Sequence, residues 1–278
     1  TGVNGGHGGW PGFALGGAIA CFNNSNPAVI NCTFRNCSAT GGNGGDGGNG
    51  NSSVPYGHGG RGGGWYYGIG HYWYGVAWPK GYHISELFSG NFTTNEYDFY
   101  TRYSGHGGAV YVGTGCSPTF THCNFVNNNS FSGRSGICGQ NQPSTLRDEP
   151  SSRWMIDNSG GAVYCDTNST PRFSDCVFSN NTADTNNPAG NDDPYVSFGG
   201  AIAFEDGAFP IIEKCSFNGN NATAGGGIYC AKAATQIRDS NFTDNTAYNG
   251  GASFYVDSNI GMGNCNITGN QAAFPSSN

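Results

Sequence analysis

One short pattern returns six times along this chain, and it leaves few folds open. A Gly-Gly-small-apolar start stands at Gly16, Gly107, Gly160, Gly199, Gly225 and Gly250. Self-similarity of this kind marks a stacked-repeat architecture, in which no single repeat can bury its own apolar face. Five residues after each start come Cys21, Val112, Cys165, Phe204, Cys230 and Tyr255; further on lie Cys32, Cys123, Cys176, Cys215, Ser240 and Cys265. Two residues beyond those stand Phe34, Phe125, Phe178, Phe217, Phe242 and Ile267. A spacing of two puts the Cys and Phe columns on one inner face of a strand, with the polar residues between them facing out.

Three residues past the Phe column come Cys37, Asn128, Asn181, Asn220, Asn245 and Asn270, followed by a small-residue column ending in Ala247 and Ala272. An isolated buried amide is costly. Stacked at the strand spacing of about 4.8 Å, each amide bonds its copies above and below, so Asn128, Asn181, Asn220, Asn245 and Asn270 are expected to form a structural ladder. From Gly199 to Gly225 and from Gly225 to Gly250 the coils are 26 and 25 residues long, too short for a helical crossover. The 49 glycines and 10% charged residues also disfavour long helices. The expectation is an all-β parallel solenoid of about six coils, one domain over residues 1–278. Long insertions at 40–106, 131–159 and 184–198, the first opening glycine-rich, emerge along one edge.

Gly-Gly-Ala-Ile (Gly16 to Ile19, Gly199 to Ile202) with Phe-x-x-Asn (Phe125 to Asn128, Phe178 to Asn181, Phe217 to Asn220, Phe242 to Asn245) resembles the repeats of chlamydial polymorphic membrane proteins. The resemblance implies a right-handed parallel β-helix and a surface adhesin. Coil one departs with Cys37 in place of the Asn, coil six with Ile267 in place of the Phe, and no C-terminal segment resembles a transporter barrel. Together with the sequons below, this points to a eukaryotic extracellular relative in architecture.

A net charge of −7 with three lysines offers no basic surface, so nucleic acid is not expected as a partner. No apolar run is long enough to span a bilayer, and no leader precedes Thr1, so a removed signal peptide and no membrane insertion are expected. Asn-x-Ser/Thr sequons at Asn23, Asn31, Asn36, Asn51, Asn91, Asn128, Asn168, Asn180, Asn221, Asn241 and Asn266, with 11 cysteines, point to a secretory, N-glycosylated, extracellular protein. Cys21 with Cys32, Cys165 with Cys176, and Cys230 with Cys265 are disulfide candidates; the alternative is a ladder of buried free thiols. The odd number leaves at least one thiol free or joined to another chain.

The aromatic segment holding Trp65, Tyr66, Tyr67, Tyr72, Trp73, Tyr74, Trp78, Tyr82, Tyr97, Phe99, Tyr100 and Tyr103 reads as a lateral core or an interface. Gly41 to Asp46 matches a calcium β-roll start only once, and His7, His58 and His106 lack a ligand spacing, so no metal and no cofactor are expected. A polysaccharide lyase or glycoside hydrolase needs clustered outer carboxylates. The nearest are Asp166 with Glu205, without a recognisable acid/base partner, and the column Asp175, Lys214, Asp239, which reads as a surface charge ladder. The leading expectation is therefore a non-enzymatic structural protein, a filament or appendage subunit stacking end to end on copies of itself. An adhesin for glycans or partner proteins is the alternative, and the polysaccharide enzyme a second one.

Overall fold

The computed structural model describes residues 14–42, 105–131, 157–183 and 196–273, and every regular element among them is a β-strand. Three six-stranded parallel sheets run the length of the stack, each taking one strand from every coil in chain order. The first holds Ile19–Cys21, Val110–Val112, Val163–Cys165, Ile202–Phe204, Ile228–Ala231 and Ser253–Val256. The second holds Ala28–Ile30, Thr119–Thr121, Arg172–Ser174, Ile211–Glu213, Ala234–Arg238 and Asn259–Gly263. The third runs from Thr33–Arg35 through Asn124–Val126, Val177–Ser179, Ser216–Asn218 and Asn241–Thr243 to Asn266–Thr268.

The register places every repeat column directly over its neighbours: Phe34 on Phe125, Phe125 on Phe178, Phe178 on Phe217 and Phe217 on Phe242. The rings follow at centroid separations of 4.8, 4.6, 4.8 and 4.7 Å, with planes within 10° of parallel. Full burial of one Phe side chain is worth roughly 1.5–3 kcal/mol, and each stacked pair adds about 1 kcal/mol.

The sequence reading placed the Cys and Phe columns on one strand, and here the structure differs. The polar residues before each Cys (Asn31, His122, Asp175, Lys214, Asp239, Asn264) have φ of 51–54°, a left-handed corner separating the second sheet from the third. The spacing of two survives because the corner residue points out while the chain turns, leaving both flanking side chains inside; Cys123 and Phe125 are fully buried. Asn and Asp adopt this conformation most readily among non-glycine residues and fill four of the six corners.

Five residues on, Asn36, Asn127, Asn180, Gly219, Asp244 and Gly269 make a second left-handed corner. The Gly-Gly start is a third: Gly16, Gly107, Gly160, Gly199, Gly225 and Gly250 have φ between 58 and 66°. The second glycine of each pair runs against backbone on two sides; a Cβ on Gly200 would be driven into the Gly226 carbonyl above it and Asn221 across the coil. The coil also reaches into the insertions, since Thr40, Gly105–His106, Phe131, Asp157–Ser159 and Val196–Phe198 belong to parallel strands.

The amide column closes as a chain of bonds. Asn181 Nδ2 donates to Phe125 O of the preceding coil (2.9 Å) and to Asn220 Oδ1 of the following one (2.9 Å), while its backbone N–H donates to the same Oδ1 (3.0 Å). Asn128, Asn220 and Asn245 repeat this arrangement, and Asn270 ends it. At coil one only the backbone N–H of Cys37 joins, donating to Asn128 Oδ1.

Candidate functional site

The outer side of the first sheet departs from the polar exterior of the rest. Its outward column is Ala20, Tyr111, Tyr164, Ala203, Tyr229 and Phe254 in register. From Tyr111 onward these residues, with Phe198 and Ala224, form a second apolar cluster, separate from the interior, in which Tyr111 is fully buried and Tyr164 and Tyr229 nearly so. Tyr111 and Tyr164 stack at 5.6 Å, and the His106 ring lies 4.7 Å from Tyr164.

At the edge of this cluster Asp166, 2% exposed, collects three donors: Tyr111 OH (2.9 Å) and Thr114 Oγ1 (3.2 Å) on Oδ2, and its neighbour's backbone N–H, Thr167, on Oδ1 (2.8 Å). Burial raises the Tyr111 phenol far above its ordinary value, and the Asp166 charge and hydrogen bond raise it further. Tyr164 is raised for the same first reason, then by Glu205 and Asp166. Both phenols therefore stay protonated, and that of Tyr111 acts as a donor. His106 is lowered to about 4 by burial, partly offset by Asp166, and neither ring nitrogen has a hydrogen-bond partner among the described residues. Asp166 and Glu205 did stand out in the sequence; Tyr111, Thr114 and the stacked Tyr164 did not, because the strand pattern gives no sign that an outward column is buried.

The other site residues distribute as follows. The sequon asparagines Asn23, Asn31, Asn36, Asn168, Asn180, Asn221, Asn241 and Asn266 are exposed, the first five of them at left-handed φ. Asn128 is 1% exposed with both N–H bonds of its amide committed, so within the folded coil its nitrogen offers no attachment point for sugar. Asn51, Asn91, His7, His58, Cys138 and the aromatic segment lie outside the described residues, as does most of the Gly41 to Asp46 stretch. Among the described residues no group of His, Cys, Asp or Glu is arranged to hold a metal, and no helix is long and apolar enough to cross a membrane.

The ten described cysteines are free thiols. Cys21 with Cys32, Cys165 with Cys176, and Cys230 with Cys265 are thus unbonded in this structure. Burial lifts Cys21 to about 11 and Cys230 to about 12. Along the corner column the thiols act alike: Cys123, Cys176, Cys215 and Cys265 each donate to the carbonyl two residues earlier at 3.3–3.4 Å. The charge column does not pair. Asp175 accepts from Ser174 Oγ in its own coil, and Asp239 accepts along the row from Asn264 Nδ2 of the next coil rather than from a lysine.

A family model described as a right-handed beta helix region matches residues 87–277. No curated protein and no solved structure matches the chain.

Proposed function

This chain belongs to the right-handed β-helix family, and from that premise we propose that it works outside the cell as a non-enzymatic, N-glycosylated structural rod, a subunit of a surface appendage. The observation that carries the reading is the partition of asparagines. Those of the ladder from Asn128 to Asn245 are buried and bonded, while every described sequon asparagine except Asn128 stands exposed on the outside of the coil. An interior of repeated, mutually satisfied side chains gives a stiff rod, and an exterior of acceptor amides suits a glycan coat. The carboxyl that sequence alone offered to an enzyme, Asp166, is 2% exposed and held by Tyr111 and Thr114, which supports a buttressing role.

End-to-end assembly is supported by the face of the last described coil, where the inward column residues Ile267 and Met262 are 53% and 39% exposed. A second copy laid on this face covers them, and such head-to-tail contacts do not close on themselves. Electron microscopy of native material tests this: filaments are expected with an axial repeat of at least about 29 Å, six strand spacings. Discrete monomers at all concentrations remove the filament. Mass spectrometry before and after deglycosylation tests the coat, and a sugar-free chain from native material removes that part.

The adhesin reading has one observation of its own. On the outer side of the second sheet a groove of about 510 Å³ is lined by Phe209, Gln236, Arg238 and Asn259, open because Gly261 and Gly263 leave the space that Gln236 and Arg238 fill one coil earlier. An aromatic ring with amides and a guanidinium is a surface suited to sugar. Glycan-array binding without turnover supports an adhesin; released oligosaccharide supports the polysaccharide enzyme instead.

A further inference from the structure

The corner column brings four thiols, Cys32, Cys123, Cys176 and Cys215, into four successive coils. The register sets each of these residues against its counterparts in the adjacent coils, Cys176 lying between Cys123 and Cys215. Ser174 pairs with Glu213 on one side of the corner and Val177 with Ser216 on the other, so Cys176 lies directly against Cys215. Ser216 N donates to Cys176 O at 2.9 Å, locking the two levels together at that point. Cys165, the partner suggested by sequence spacing, lies instead in the first sheet, in register with Val112 and Phe204.

We propose that Cys176 and Cys215 are a disulfide site, a vertical staple joining coil three to coil four. Adjacent parallel strands stand about 4.8 Å apart, inside the Cα separation of roughly 4.4–6.8 Å that a disulfide accepts. Closure must draw the two Cβ atoms together by a few tenths of an ångström. The site is a corner between the second and third sheets, flanked by left-handed Asp175 and Lys214. The two thiols also perturb each other, the neighbouring Cys215 lowering Cys176 while Cys176 and burial raise Cys215.

The oxidant is a small disulfide such as oxidised glutathione. The Cys176 thiolate attacks one sulfur of R–S–S–R and expels R–S⁻. The Cys215 thiolate then attacks the Cys176 side of the mixed disulfide and expels the second R–S⁻. Each leaving thiolate takes up one of the protons released, so two protein thiols and one R–S–S–R give one protein disulfide and two R–SH. Both residues are 1% exposed, so exchange takes place as the coils assemble, and the finished bond is shielded from reductant.

The closing experiment does not depend on where the protein resides. The full chain is refolded in a glutathione redox buffer, blocked with N-ethylmaleimide without reduction, deglycosylated and digested with trypsin. Cutting at Arg153, Arg172, Lys214 and Lys232 places Cys165 in residues 154–172, Cys176 in 173–214, and Cys215 with Cys230 in 215–232. The expected product is 173–214 disulfide-linked to 215–232, absent in Cys215→Ser. That variant is expected to fold, since Ser240 already occupies this column, its hydroxyl donating to Arg238 O at 2.8 Å and accepting from Cys215 N at 3.1 Å. Maleimide on both Cys176 and Cys215, linkage of 173–214 to 154–172, or a linked product that persists in Cys215→Ser overturns the proposal.

Discussion

Replacing Asn220 by Ala tests whether stacked amides hold the coils together. Four hydrogen bonds vanish: Nδ2 to Phe178 O (3.0 Å) and to Asn245 Oδ1 (2.8 Å), and the bonds that its Oδ1 accepts from Asn181 N (3.0 Å) and Asn181 Nδ2 (2.9 Å). Some groups keep a second partner, since Asn181 Nδ2 still reaches Phe125 O and Asn245 Oδ1 still accepts from the backbone N–H of residue 220. Two buried donors are left orphaned, the Asn181 backbone N–H and one hydrogen of its amide. At roughly 1–3 kcal/mol each, the loss is about 2–6 kcal/mol before any cavity is counted. Asn270→Ala deletes the same kinds of bond at the last coil, where the group is only part-buried and water can replace the lost acceptor, so about 1 kcal/mol or less is expected. Urea unfolding followed by circular dichroism compares the two, and hydrogen exchange over residues 178–183 reads the orphaned amide. A midpoint shift for Asn220→Ala no larger than that for Asn270→Ala would refute the ladder as a source of stability.

Phe178→Ala removes a ring stacked at 4.6 Å on Phe125 and 4.8 Å on Phe217, and a loss of about 3–5 kcal/mol is expected in the same urea assay. Gly199→Ala meets two obstacles, a φ of +64° and the Ile202 carbonyl in the path of its Cβ; it is expected to abolish soluble folded protein, whereas Ala222→Gly, in the small-residue column, is expected to be recovered in soluble form. His106 contributes to acid lability. Its pKa is lowered from 6.5 to about 4 on folding, so below 6.5 the unfolded chain binds the proton first, and stability falls as pH drops from 6.5 towards 4, by at most about 3 kcal/mol. His106→Phe keeps the ring against Tyr164 and is expected to flatten that part of the urea-midpoint profile; an unchanged slope assigns the lability to other groups.

The stack itself was legible because repetition exposes columns, and columns in a parallel solenoid are physical rows: the Phe and Asn positions read from spacing lie over one another in the register. The corners were not legible. A spacing of two between inward residues is common to a strand and to a strand–corner–strand passage, and only the excess of Asn and Asp at Asn31, Asp175, Asp239 and Asn264 hints at the second. The outward cluster was hidden for a related reason. Tyr111 and Tyr164 alternate with inward Val110, Val112, Val163 and Cys165 as any solvent-facing residue would. Nothing in the local pattern marks them as buried, since their partners Asp166 and His106 come from other elements.

An offset of one residue separates the two uses this chain makes of asparagine. In coil three Asn180 sits at the left-handed corner and Asn181 in the ladder; the sequon begins at Asn180, whose side chain is exposed. In coil two the same pair is Asn127 and Asn128, but the hydroxyl residue is Ser130, so the sequon begins on the ladder residue. A glycosyltransferase reads only the triplet, whereas the coil reads the position. Sugar added to Asn128 before folding would remove a donor that the ladder uses at 2.9 Å to Asn181 Oδ1 or at 3.1 Å to Phe34 O. Coil two of secreted, folded protein is therefore expected to carry an unmodified Asn128 beside a modified Asn180 in coil three. Site-resolved glycopeptide mapping distinguishes the two positions, and a glycan at Asn128 in native material would show that the amide column tolerates an interruption between coils one and three, contrary to the energetics worked out for Asn220.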